Sequence, residues 1–388
     1  MRNCRASARS VYILSTLLLV AACSDSSTRS RDEAEVPLIE PTQTANSVGP
    51  FVVGHKRVDL FDPARENRSL PYDIWYPSDE PQTEDLPRTR YPLAGPIALT
   101  SEFAFDDLPV SDSGKLPFLV FSHGSGGTNT QSIRMMEALA SHGFVIVSPE
   151  HTGNTNADSS DTLAEAGAKR VPDVSFIIDT FMGRNSIQGD EFFERLDPDK
   201  IGVAGHSYGG GTALGMVGGF FGAQPDDRVK AVMPISAPVF DLFTERALLD
   251  IEEPVLFLGG TEDTAVSITN QDYAFDTLTN SSATYQIDIR GAGHNAFAAI
   301  CDIGNTLIEN GLGKESWPSI GASALLEPYE DACGEAAFPI EVAQRIQNTF
   351  AVAFFRRHLL EQQEYDFYLR TEWAEENEPD VNFRSRTK

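Results

Sequence analysis

Ser207 stands in the pentad Gly205-His206-Ser207-Tyr208-Gly209, and an Asp263 and a His294 follow it, each at the end of a glycine-rich turn. A serine hydroxyl becomes a useful nucleophile only when a base takes its proton and an acid orients that base. The spacing supplies a candidate for each part. Ser207 lies where a short apolar run, Ile201 to Ala204, meets small and apolar residues that continue through Val217. Strand, sharp turn and helix in that order form a nucleophile elbow, which exposes the hydroxyl at a strained turn. Gly205 and Gly209 are needed there because side chains would collide with the neighbouring strand and helix. The bland alternative is a glycine-rich turn opening a buried helix, and it leaves the later His and acid unexplained.

His294, in Gly291-Ala292-Gly293-His294-Asn295, follows the last predicted central strand and is the candidate base. The candidate acid is Asp263, in Gly259-Gly260-Thr261-Glu262-Asp263. Asp241, after the preceding strand, and the adjacent Glu262 remain alternatives, and Asp263 could also serve only as a helix cap. Gly124-Ser125-Gly126-Gly127 leaves the end of a buried run and could aim a backbone N–H at a carbonyl oxygen. The N–H groups of Ser125 and Tyr208 are therefore the expected oxyanion hole. Read instead as a phosphate cradle, the loop lacks both G-x-x-x-x-G-K-[ST] and G-x-G-x-x-G, so nucleotide binding is not expected. No H-E-x-x-H and no clustered Cys/His is visible, so a catalytic metal is not implied. His123 and His206 are expected to bond loop backbone. His151 and Phe297 are candidate substrate-pocket residues, although aromatics such as Phe297, Trp317 and Tyr329 could equally be core.

The elements that must hold these groups read as alternating strands and helices. Phe118 to Phe121 and Phe144 to Val147 are continuous apolar runs, as strands buried on both faces of a parallel sheet require. Strands are also predicted at 52–60, 72–76, 229–235, 254–258 and 284–289, with helices from about Ile133, over 174–182, near 273–278 and over 342–360. This alternation predicts an α/β fold with a mostly parallel, doubly wound sheet flanked by helices. Ligands gather at the carboxyl ends of such strands, where every candidate loop lies. Residues 78 to 115, rich in proline and acids, read as a long surface excursion.

The chain has 388 residues, 41% apolar, which suffices for a substantial core. Arg2, Arg5 and Arg9, then apolar Val11 to Val20, then Val20-Ala21-Ala22-Cys23, have the form of a secretory signal too short to span a bilayer. The last four of these residues resemble a bacterial lipobox, with Cys23 as lipidation site, and Ser24 after it suggests the outer membrane. The expected layout is a signal over 1–22, a flexible tether over 23–48, one domain over 49–365 and a C-terminal tail over 366–388. Without the signal, 27 basic residues face 57 acidic ones, since three of the 30 leave with it. Such a surface repels nucleic acid, and membrane association would come through the lipid alone. Cys4 leaves with the signal, so Cys301 and Cys333 remain as an even pair that an oxidising compartment would join.

Taken with Asp73-Ile74-Trp75-Tyr76-Pro77, Phe121-Ser122-His123-Gly124 and Ser141-His142-Gly143-Phe144, these motifs resemble the alpha/beta-hydrolase superfamily from about Val52 to Leu360. Within it the chain is similar to dienelactone-hydrolase-like and platelet-activating-factor-acetylhydrolase-like bacterial esterases. That resemblance implies hydrolysis of small, lipid or polyester esters through an acyl-enzyme, without a cofactor. Dienelactone hydrolases carry a cysteine where this chain has Ser207. Acetylhydrolases place the acid nearer Val239 to Asp241, whereas the Gly-Gly-Thr-Glu-Asp turn and the helix around Phe354 look more like cutinase-type polyester hydrolases. Acyl transfer or peptide hydrolysis could use the same three residues, and a catalytically silent surface lipoprotein could keep the fold.

Overall fold

The computed structural model describes residues 39–80 and 82–388. The signal, Cys23 and most of the expected tether lie outside the described residues. In chain order the strands are β1 (Val52–Val58), β2 (Phe61–Asp62), β3 (Arg68–Ser69), β4 (Tyr72–Ser78), β5 (Arg88–Ala94), β6 (Ile97–Asp106), β7 (Leu116–Ser122), β8 (Val145–Pro149), β9 (Leu196–His206), β10 (Val229–Ile235), β11 (Val255–Gly260), β12 (Ala283–Ile289) and β13 (Val381–Thr387). The helices are α1 (Ile133–Ser141), α2 (Leu163–Arg184), α3 (Tyr208–Gly218), α4 (Glu245–Leu249), α5 (Thr269–Thr277), α6 (Ile300–Glu309), α7 (Leu326–Cys333), α8 (Ile340–Leu359) and α9 (Thr371–Asn377).

Eleven strands form one sheet in the order β13-β12-β11-β10-β9-β7-β8-β4-β1-β6-β5. From β8 through β7, β9, β10 and β11 to β12 every pairing is parallel. Parallel neighbours need crossovers, and α1 to α5 supply them one at a time, as the alternation predicts. Side chains of β7 divide between the faces. Leu119 and Phe121 join α1 and α8 in one core layer, while Phe118 and Val120 join α2 and α3 in the other. This is the alpha/beta-hydrolase fold. It sets the carboxyl ends of β7, β9, β11 and β12 along one edge of the sheet, with β10 between β9 and β11, and the glycine loop, Ser207, Asp263 and His294 follow them.

Three expected boundaries move. The 78–115 excursion contains the β5–β6 hairpin, and β6 joins the main sheet parallel to β1, with Val53 opposite Ala104. The proline and acid content hid alternating burial in β5, where Thr89 and Tyr91 point inward. The expected tail, 366–388, instead holds α9 and β13, which pairs antiparallel with β12 from Ala283–Thr387 to Ile289–Val381. Trp373 and Val381 are buried there, so this segment covers a sheet edge. The end of the expected tether is also part of the domain. Ala45 is buried, Arg356 donates to Gln43 Oε1 at 2.8 Å, and Tyr365 donates to the Gln43 carbonyl at 2.6 Å. Polar side chains in 40–48 bond to the closing helix and the turn after it, which a composition-based reading takes as solvent contacts. Among the described residues no helix is long and apolar enough to cross a membrane.

Candidate active site

Ser207 sits between β9 and α3 at φ 56° and ψ −123°, a region that L-residues rarely occupy. The turn is held from both sides: Ser207 N donates to the Ile235 carbonyl at 2.8 Å, and Gly210 N donates to the Ser207 carbonyl at 2.8 Å. A Cβ on Gly205 would strike the Gly209 carbonyl, and one on Gly209 would strike the Ser122 carbonyl. Both glycines are thus fixed by close backbone approach. The Ser207 hydroxyl has no hydrogen-bond partner among the described residues and is half-buried, open to an incoming molecule.

His294 begins a single 3-10 turn after β12. Its Nδ1 donates to Asp263 Oδ2 at 2.7 Å. The other carboxylate oxygen accepts the N–H groups of Ala265 at 3.0 Å and Val266 at 2.7 Å. Burial alone would raise the Asp263 carboxyl, but the hydrogen bond and charge of His294, with the Val266 N–H, hold it below its ordinary range. Asp263 therefore both caps its turn and meets the imidazole. Asp241 and Glu262 are exposed, and neither bonds His294. No hydrogen bond joins Ser207 to His294 in this structure; such contacts commonly tighten only when substrate arrives.

The loops are tied together by residues that the sequence did not single out. Gly124 N donates to Gln131 Oε1 at 3.0 Å, and Gln131 Nε2 donates to His206 Nδ1 at 2.7 Å. His206 Nε2 in turn donates to the His294 carbonyl at 2.8 Å. Burial, then the neighbouring His294, pushes His206 down to about 3, so its ring stays neutral and keeps one donor and one acceptor. One amide and one imidazole thus link the glycine loop, the elbow and the His294 turn. On the far side, Asp331 of α7 accepts the N–H of Asn295 at 3.3 Å, and a Cys301–Cys333 disulfide fastens α7 to α6.

Because Gly124 N is already used, it cannot serve an oxyanion. The N–H groups of Ser125 and Tyr208 have no acceptor among the described residues, and Ser125 is exposed. A Cβ on Gly124 would lie 3.4 Å from Ser207 Cβ, so this loop borders Ser207 directly. His123 and His206 bond loop backbone, as expected. His151 and Phe297 do not line an accessible pocket: each is 1% exposed. Both His151 nitrogens are engaged, to Ser122 Oγ and Asp173 at 2.9 Å each, and Phe297 packs behind the His206 ring at 6.4 Å. Position beside the candidate site loops did not reveal which way those side chains turn. An apolar surface forms instead near Tyr208. Phe221, 40% exposed at φ 46°, lies 6.5 Å from its ring, and Leu163 is exposed beside it.

Known proteins resemble this chain in family and in fold. The family model described as PETase, PET hydrolase-like, matches residues 108–310. The chain belongs to the PET hydrolase-like family. The matched segment of this PET hydrolase-like chain includes Ser125, Ser207, Asp263 and His294. The chain is 26% identical over 179 residues to cutinase est2 of Thermobifida alba, covering 46% of this chain and 52% of that one. It is 29% identical over 192 residues to a platelet-activating factor acetylhydrolase of Canis lupus familiaris, covering 39% and 41%. The chain thus spans about half the length of the curated relatives it matches. A solved ferulic acid esterase of Streptomyces cinnamoneus shares the fold at a TM-score of 0.59 and 22% identity, over 89% of this chain and 99% of that one. In this PET hydrolase-like site, Gln131, Arg170 and Asp173 escaped the sequence reading. A glutamine four residues after a glycine loop carries no motif, and two charged residues inside α2 read as a solvated helix face.

Proposed function

We propose that the protein is a serine carboxylic-ester hydrolase. Ser207 attacks the ester carbonyl as His294 Nε2 takes its proton, and Asp263 holds the imidazole with Nδ1–H toward the carboxylate. Negative charge developing on the carbonyl oxygen meets the N–H groups of Ser125 and Tyr208. His294 then protonates the departing alcohol, and water activated by the same imidazole releases the acyl group. The observation that carries this reading is the 2.7 Å His294–Asp263 bond beside a serine in the strained elbow conformation. The exposed Phe221 and Leu163 near Tyr208 favour esters with an apolar acyl or aromatic group, including lipid and polyester substrates.

A fluorophosphonate probe should label wild-type protein at Ser207. Ser207→Ala should lose both the label and roughly 10⁴-fold or more of ester turnover while staying folded. Turnover within tenfold of wild type would overturn the proposal. The same experiment decides against a silent surface-binding lipoprotein. We further propose an envelope location through a lipid on Cys23, supported by the lipobox-like Val20-Ala21-Ala22-Cys23. Cys23→Ala should then move from the membrane to the soluble fraction, and unchanged retention of a processed variant would count against the anchor.

A further inference from the structure

Beneath the glycine loop lies a guanidinium that no carboxylate neutralises directly. Arg170, in the first half of α2, is fully buried, and among the described residues it forms no ion pair. Stripping water from an unpaired cation is costly, so its hydrogen bonds must offset much of that loss. Four neutral acceptors supply them. Nη1 donates to the His123 carbonyl at 2.6 Å and to Ser122 Oγ at 3.1 Å, and Nη2 donates to the Gly124 carbonyl at 3.2 Å and to Asn154 Oδ1 at 2.7 Å.

The Gly124 carbonyl shares one peptide unit with the Ser125 N–H, and in a planar trans peptide the two point in opposite directions. Three donors converge on that carbonyl: Arg170 Nη2, His123 Nδ1 at 2.7 Å and Gly127 N at 3.1 Å. Fixing the oxygen toward Arg170 turns the Ser125 N–H away from it, and that N–H has no protein acceptor among the described residues. The guanidinium also lies 5.2 Å from the centre of the Tyr208 ring. One cation therefore contacts the carbonyl of the Gly124–Ser125 peptide and the ring of Tyr208, the two places that carry the unpaired N–H groups.

Behind Arg170 runs a buried relay. The Ser122 hydroxyl donates to His151 Nε2 and His151 Nδ1 donates to Asp173, each at 2.9 Å. Asp173 also accepts Arg68 at 2.8 Å and Arg65 at 2.6 Å. Ser122, His151 and Asp173 repeat the connectivity of a nucleophilic triad, yet all three are buried beyond reach of a substrate. Since the ring is a neutral acceptor at Nε2, the Ser122 proton points to it and the Ser122 oxygen is left to accept Arg170. Arg65 and Arg68 satisfy the Asp173 charge, which leaves the charge of Arg170 directed at the glycine loop.

We propose that Arg170 is a positioning residue for the oxyanion hole. It holds the Gly124–Ser125 peptide with its N–H toward the reacting carbonyl and, through that peptide's dipole, adds positive potential where negative charge develops. This rests on the ester-hydrolase reading above. Losing a direct oxyanion donor lowers kcat about 10²–10³-fold, so losing its brace should cost roughly 10–100-fold.

The test compares Arg170→Met, Arg170→Lys and Asn154→Ala on a soluble activated ester, with affinity for a boronic acid as a tetrahedral mimic. Arg170→Met should lose roughly 10–100-fold in kcat with KM within about threefold, and boronate affinity should fall in parallel with kcat/KM. Arg170→Lys should recover part of the loss, because it keeps the charge but not the planar fork. Asn154 touches both Arg170 and Ser125 Oγ from a loop, so Asn154→Ala should show the same pattern more weakly without emptying the core. A folded Arg170→Met with unchanged kcat and boronate affinity would overturn the proposal. Should neither Arg170 variant fold, unchanged kcat in Asn154→Ala overturns it. Wild-type protein that neither hydrolyses esters nor takes the fluorophosphonate label would refute the hydrolase reading itself; labelled wild type with unaffected variants refutes only the role of Arg170.

Discussion

Asp263→Asn separates two roles that one side chain performs. Asp263 uses Oδ1 to accept Ala265 and Val266 N–H groups and Oδ2 to accept His294 Nδ1. An asparagine can keep its oxygen on the two backbone donors, so the turn survives. Its amide NH₂ then faces the imidazole, where two donors would meet. The ring relieves this by moving its proton to Nε2, which leaves no lone pair to accept the Ser207 proton. Loss of the working tautomer should lower kcat about 10⁴-fold, or roughly 5.5 kcal/mol of transition-state stabilisation. Stability should fall by only about 1–2 kcal/mol, the difference between a charged and a neutral acceptor. Asp241→Asn and Glu262→Gln, altered at exposed positions without a His294 contact, should stay within about twofold of wild type in turnover. The assay is ester turnover with denaturant unfolding for the three variants side by side. If Asp263→Asn retains turnover within tenfold, or if Asp241→Asn shows the large loss instead, the assignment of the acid is wrong.

Two further outcomes follow from buried polar groups and from the disulfide. Burial, reinforced by Arg170 for one and His294 for the other, pushes His151 down to about 4 and His206 to about 3. An unfolded histidine takes a proton below about pH 6.5 while these two do not, so stability is full above that value and falls as pH drops toward 4. The pair should contribute a slope of up to about 2.7 kcal/mol per pH unit, and denaturant unfolding that is flat from pH 7 to 5 would refute it. The Asp173 and Asp263 carboxyls, both held below their ordinary range, add losses only at still lower pH. The Cys301–Cys333 bridge closes a loop of sequence separation 32, which the chain-entropy estimate values at about 3–4 kcal/mol. Reduction should therefore lower the melting temperature and, through Asp331 and Asn295, loosen the His294 turn. A reduced protein with unchanged melting temperature and turnover would show that α6 and α7 hold without the bond.

The sequence by itself determined the central strands, the elbow and the chain order of Ser207, Asp263 and His294. Each of these is a short-range feature. A run such as Phe118-Leu119-Val120-Phe121 is apolar on both faces wherever it folds, and Gly205 answers a clash with Gly209 only four residues away, although the clash at Gly209 is with the Ser122 carbonyl of the neighbouring strand. Tertiary structure decided which acid meets His294, because Asp241 and Asp263 both follow strands and only loop packing brings one carboxylate within 2.7 Å. It turned His151 inward toward Asp173, an orientation that its place after β8 leaves open. It also drew β13 and the 40–48 segment into the domain, since the edge pairing needs β12, far back in the chain, and the Gln43 contact needs Arg356 of α8, 313 residues away. Arg170 is the clearest case. A guanidinium on α2 gains its meaning from carbonyls after β7 and an aromatic ring on α3, and only the folded chain makes those residues neighbours. Steric and periodic constraints act between adjacent residues and can be read in order, whereas the partners of a buried charge are set by where the chain returns.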